Sequence, residues 1–166
     1  MASPQNNQSS LVVAPALERK LVTLRQITQI RRPCRLRFKR MVVVTVADRW
    51  DVVIKKREYK VGDHVLFFEV DSFIPATAVK LGRDMRGLLD ELDGERGYRV
   101  RSRLVCKNES QGYVMAIEDF PYVRHIVDIM KEEYGPEEGL RVASMMAFEG
   151  VIGVKKWEAP NGSNTA

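Results

Sequence analysis

Two groups of cations in this chain have the type and spacing to act on a polyanion. Lys55, Lys56 and Arg57 are consecutive, and Lys60 follows three residues later; Arg99, Arg101 and Arg103 alternate with Tyr98, Val100, Ser102 and Leu104. On an extended strand alternate residues share a face. The three guanidiniums would then stand about 7 Å apart, a spacing that suits a row of phosphates. Residues 19–60 carry 14 Lys or Arg against 3 Asp or Glu, whereas residues 61–166 carry 13 against 18. A charge distribution so uneven produces a field that draws polyanions, where a uniform excess chiefly confers solubility. A solvated face is the alternative reading of either group. Nucleic acid is the leading partner class.

Other chemistries find little support. Cys34 and Cys106 are the only cysteines and lack the spacing of a zinc site or disulfide framework. His64 and His125 are the only histidines and do not form a metal-ligand motif. Packed or surface histidines are the expectation. No apolar run approaches the roughly 20 residues of a membrane helix. Leu11–Leu17 is short and has no positive flank ahead of it, so a signal peptide is not expected. The expected localisation is intracellular, cytoplasmic or nuclear, with no membrane partner.

The elements that must position these residues centre on Trp50–Pro75. Trp50–Lys55 reads as a strand, Gly62-Asp63 as a tight turn, and His64–Val70 as a strand apolar on both faces, as near the centre of a closed sheet. Ahead of it, Leu21–Ile30 reads as a strand ended by Arg31-Arg32-Pro33. Leu36–Val46 alternates with a conflict at Arg40 that a bulge or a start near Met41 would resolve. Ala47–Arg49 would make a hairpin of this strand and Trp50–Lys55, with His64–Val70 pairing next to the second arm. Ala76–Gly97, with Leu81, Met85, Leu88, Leu89 and Leu92 at helical spacing, is expected to form one or two short helices. Tyr98–Val105 is expected as a single strand, Cys106–Gln111 as a polar loop and Gly112–Ile117 as the fifth strand. Val123–Tyr134 has the apolar spacing of an amphipathic helix stopped by Gly135-Pro136. Leu140–Met146 would begin a second short element, and Val151–Trp157 a last strand. The fold class is therefore mainly β with helical insertions: a five-stranded OB-like β-barrel plus a C-terminal amphipathic helix, spanning 19–160. A disordered polar tail (1–18) and a frayed end (161–166) flank it.

The run V-V-I-K-K-R-E-Y-K-V-G-D-H-V-L-F-F-E-V-D-S-F-I-P (52–75) closely resembles the N-terminal OB module of Deinococcus-type ATP-dependent RNA ligases. Tyr98-Arg99-Val100-Arg101, Ser110-Gln111-Gly112 and Gly150–Pro160 resemble the same family in the same order, so that the likeness covers roughly Leu21–Pro160. Two stretches depart from the family pattern: Pro33-Cys34-Arg35-Leu36-Arg37, and Val105-Cys106-Lys107 with Glu109 at a usually apolar place.

The resemblance implies RNA end-joining through a lysine adenylylated by ATP, within a Lys-x-Asp-Gly motif of a nucleotidyltransferase domain. That motif is absent: the only Asp-Gly is Asp93-Gly94, with Glu91 where the lysine would stand. The expectation is therefore a binding module without catalytic residues. It would need no cofactor of its own, ATP and a divalent metal being required only where a ligase domain is supplied elsewhere. Its expected partners are RNA or nicked duplex nucleic acid, and a nucleotidyltransferase domain or other protein. Phosphates would be held by Lys55, Lys56, Arg57, Lys60, Arg99, Arg101 and Arg103, with whichever of Tyr59, Tyr98 and Tyr113 is exposed stacking on bases. Two further readings stand beside it. One is a ligase-derived protein-interaction domain using the acidic second half and Met145–Met146. The other is a fragment of an active ligase.

Overall fold

One long strand serves both halves of the fold. The computed structural model describes residues 19–33, 40–56, 59–79 and 87–160; the expected tails, Cys34–Lys39 and Arg57 lie outside the described residues. Strand β1 (Val22–Arg31) pairs antiparallel through Val22–Gln26 with β4 (His64–Phe68) and through Ile27–Arg31 with β2 (Met41–Val46), with an irregularity between Ile27 and Gln29 where it changes partner. A bulge of this kind bends a strand and lets one segment belong to two faces of a barrel. The β2 strand returns through a hairpin into β3 (Trp50–Lys55). Arg49 N–H donates to the Val46 carbonyl at 3.0 Å, and Ala47 and Asp48 both have positive φ (50° and 55°), as a tight turn matched to strand twist requires.

The next strand, β4 (His64–Phe68), does not lie beside β3 as its place in the chain suggests. It pairs with β1 and, further on, with β10 (Tyr113–Met115). The cause lies in the turn before it: Gly62 N–H donates to the Ile27 carbonyl at 2.8 Å and Ile27 N–H to the Asp63 carbonyl at 2.9 Å, which fastens the turn to β1. The sheet order is β10-β4-β1-β2-β3. Gln111 N–H donates to the Asp51 carbonyl at 2.7 Å and Val53 N–H to Ser110 Oγ at 3.0 Å, nearly closing the five strands into a barrel.

A second sheet, β11-β5-β7-β6, stands beside the barrel. It contains β5 (Ser72–Pro75), β6 (Leu89–Leu92), β7 (Glu95–Arg99) and β11 (Lys155–Lys156). Here two expectations fail. Leu89 and Leu92 are not helical: β6 and β7 form a hairpin around Asp93-Gly94, whose φ values of 52° and 79° suit the Asp-Gly turn; Leu88 lies in a short 3-10 turn ahead of β6, and Leu81 and Met85 lie outside the described residues. At Leu89 and Leu92 the turn residues outweigh the helical spacing. Nor is Tyr98–Val105 one strand. Val100 exchanges backbone hydrogen bonds with Asp71 and Ser72, and the chain then leaves the sheet for a separate hairpin, β8 (Arg103–Val105) and β9 (Asn108–Ser110), which replaces the expected polar loop.

Helices α1 (Pro121–Tyr134), α2 (Pro136–Ser144) and α3 (Glu149–Ile152) cover the outside of the barrel. The expected last strand over 151–157 is thus a helical turn followed by β11. Two apolar clusters result. Ile27, Val44, Val52, Val65, Phe67 and Val114 fill the barrel. Val22, Leu24, Leu66, Phe68, Val123 and Phe148 lie between barrel and helices. Alternate residues of β4 enter different clusters, which explains a strand apolar on both faces. Each fully buried phenylalanine contributes about 1.5–3 kcal/mol.

Candidate nucleic-acid interface

The cations singled out by the sequence are dispersed by the fold. Lys55 and Lys56 stand exposed at the end of β3 and just beyond it, and Lys60 is exposed in the turn before β4, where its N–H donates to Asp63 Oδ2 at 2.8 Å. Lys56 and Lys60 form no ion pair with a described residue. Arg57 lies outside the described residues.

Arg99, Arg101 and Arg103 do not share one face. Arg99, in β7, donates to Asp71 Oδ1 (3.0 and 3.2 Å), and its guanidinium lies 3.4 Å from the Trp157 ring centroid. Arg101 reaches Asp90 Oδ2 at 2.7 Å. The Asp90 carboxyl is held below its ordinary value, first by the Glu91 N–H and then by Arg101. Arg103 is exposed in β8, whose partner β9 runs beside β3 through the Ser110 and Gln111 contacts. Of the three tyrosines, Tyr98 is completely buried, which removes it as a stacking residue; Tyr59 and Tyr113 are half-buried.

OB folds commonly present the face of their second and third strands to nucleic acid. Here that face carries Thr45 and Asp51, with Arg31 reaching over from β1. Arg31 holds both oxygens of Asp51 (3.1 and 2.7 Å), and Thr45 Oγ1 donates to Asp51 Oδ1 at 2.8 Å. The Arg31 hydrogen bonds hold the Asp51 carboxyl below its usual range, and the same bonds raise Arg31. Val43 and Val53 on this side are buried. Sequence reading missed this network, since Arg31 and Asp51 are 20 positions apart. His64 is a packed histidine: burial lowers its pKa, with the charge of Lys131 adding to the effect.

Trp50 was also missed as a site residue. Its ring stacks on Phe67 (centroids 4.7 Å apart), and the guanidiniums of Arg49 and Arg25 lie 4.7 and 5.7 Å from its centroid. The adjacency of Arg49 and Trp50 at a hairpin turn was the available signal. Ser110-Gln111-Gly112 acquires a physical role as the barrel's closure. Ser110 is buried against β3, and Gly112 has φ 106° with any added Cβ 2.6 Å from the Phe68 carbonyl oxygen, so only glycine fits.

The resemblance assigns the metal and the adenylylated lysine to a nucleotidyltransferase domain, not to this barrel. Among the described residues there is no group of three or more His, Cys, Asp or Glu that could hold a metal ion, and Asp93-Gly94 is a hairpin turn. No helix among them is long and apolar enough to cross a membrane.

A barrel closed in this order defines the class, and residues 21–117 match the PHA02142 OB-fold domain family: the chain belongs to it. Among solved structures it is similar to an RNA ligase of Naegleria gruberi. With the pyrophosphate complex it shares 28% identity at a TM-score of 0.63, the match covering 89% of this chain and 38% of that one. A mutant of the same ligase with ATP and Mn gives 28% identity and a TM-score of 0.64 over the same shares. An apo mutant gives 26% and 0.63, over 85% of this chain and 36% of that one. The chain therefore corresponds to well under half of the ligase. No curated protein matches it.

Proposed function

We propose that this chain is a non-catalytic RNA-binding OB module that holds RNA, or a nicked duplex, for a nucleotidyltransferase domain that supplies ATP and metal chemistry. The observation that carries the reading is the exposed group Lys55, Lys56 and Lys60 on the edge of the barrel, with Arg103 on the neighbouring hairpin. Cations presented at the edge of a barrel contact phosphates without reading sequence. The similarity to part of an RNA ligase supports RNA as the polyanion.

The direct test is fluorescence anisotropy of the chain with labelled nicked duplex RNA across a salt series. The logarithm of the association constant is expected to fall linearly with the logarithm of salt concentration. Absence of binding at low salt, or binding indifferent to salt, would overturn the reading.

A protein-interaction role is favoured by one separate observation. Tyr122 (79% exposed) and Ile129 stand outward on α1, and Met145 is exposed just past α2. These apolar groups, on the helical side of the barrel, suit contact with a protein such as the nucleotidyltransferase domain. Retention of a purified catalytic domain by the chain after nuclease treatment tests this reading, and its loss in a Tyr122→Ala variant is expected.

A further inference from the structure

The barrel is joined imperfectly where its two edge strands, β3 and β10, approach each other. Beside the Gln111–Asp51 backbone bond lies an open cleft of about 450 Å³, within the size range of small-ligand pockets. Its apolar part is the stacked pair Trp50 and Phe67, with the Arg49 guanidinium laid over the indole. Its polar part is Gln111, whose carboxamide makes no hydrogen bond to a described residue, and Glu109, which accepts from Ser102 Oγ at 3.0 Å through one of its two oxygens. Glu69 also lines the cleft, in an ion pair with Arg19.

We infer that this cleft receives one unstacked base of a bound RNA strand, with preference for a base that carries an exocyclic amino group. This deepens the RNA-binding reading above and rests on it. An unpartnered carboxamide offers both a donor and an acceptor, which matches the edge of a base. A guanidinium plane seated on tryptophan gives a flat cationic plate of the kind on which bases stack. The carboxylates of Glu69 and Glu109 repel a phosphate and accept from an amino group, so the base enters and the backbone stays outside. Adenine and cytosine have such a group and uracil lacks it.

The test compares the affinities of the full chain for short single-stranded oligo(A), oligo(U) and a blunt RNA duplex, in the wild type and in Gln111→Leu and Glu109→Gln. Glu109 is exposed, and the Gln111 bond to β3 is made by its backbone, so both variants should keep the fold; thermal melts check this. Oligo(A) is expected to bind more tightly than oligo(U). Each variant should weaken oligo(A) binding about fivefold to tenfold, the loss of roughly one hydrogen bond, and leave the duplex unchanged. Folded variants that bind oligo(A) as the wild type does, while duplex binding persists, overturn the cleft assignment and leave the RNA-binding reading intact. Failure of the wild type to bind any of the three RNAs at low salt overturns both.

Discussion

The cations around the β3–β4 connection and those at 99–103 are similarly dense in the chain and end in different surroundings. Lys56 and Lys60 are exposed and form no ion pair with a described residue. Arg99 and Arg101 each hold an aspartate, and Arg99 also covers Trp157. The difference follows from what the fold brings near. The β3–β4 connection turns at the edge of the barrel, whereas residues 99–101 cross between Asp71 on one neighbouring segment and Asp90 on another. A positive run therefore marks a field, but its individual members can be structural. Arginine, planar and able to grip one carboxylate while lying on a ring, is suited to the structural role; lysine on a flexible stem is suited to meeting phosphates in varied positions.

This contrast can be broken experimentally, and the largest effect should come from the lysines. Replacing Lys55, Lys56 and Lys60 together by Ala should reduce RNA affinity about 10- to 100-fold at low salt and flatten the salt dependence by two to three ion equivalents. Anisotropy titrations at several salt concentrations would measure it, with the melting temperature nearly unchanged. An unchanged salt slope would remove these residues from the interface.

Arg99→Ala should do the reverse. It removes a partly exposed ion pair and a close ring contact, so a loss of about 1–2 kcal/mol in stability is expected by urea denaturation. RNA affinity should stay within about twofold. If this variant lost affinity as steeply as the lysine variant, the division between the two groups would collapse.

A smaller effect concerns Arg31 and Asp51, a pair built like the arginine contacts but placed on the barrel. The folded-state pKa of Asp51 is depressed, so its contribution is fully present above the ordinary carboxylate pKa of about 3.9 and is lost as the pH falls through the lower folded value. The two side chains are 38% and 35% exposed, and solvent screening limits the pair to about 1 kcal/mol or less. Asp51→Asn should therefore be less stable than the wild type at pH 6, and the gap should narrow as the pH falls from 4 to 3. Urea midpoints across that range check the sign.

Much of the barrel was legible because its signals are local. The hairpin at Ala47–Arg49, strand β1, strand β10 and helix α1 follow from turn residues and from periods of two or 3.6, which depend only on near neighbours. The fold class itself followed from the number and spacing of such strands. Where local signals competed, the sequence reading failed. Leu89 and Leu92, read at helical spacing, lie instead in the strand that the Asp93-Gly94 turn pairs with β7.

Local patterning therefore accounts for the barrel strands, their amphipathic helical cover and the uneven distribution of positive charge. The tertiary structure alone decided that β4 pairs with β1 and β10, that Arg99 and Arg101 are held by Asp71 and Asp90, and that Trp50, Arg49 and Gln111 border one cleft. The physical reason is range. Periodicity and turn chemistry are fixed within a few residues. The neighbour of a charge or an aromatic ring, by contrast, is chosen by chain closure between segments such as Trp50 and Gln111, which no local pattern records.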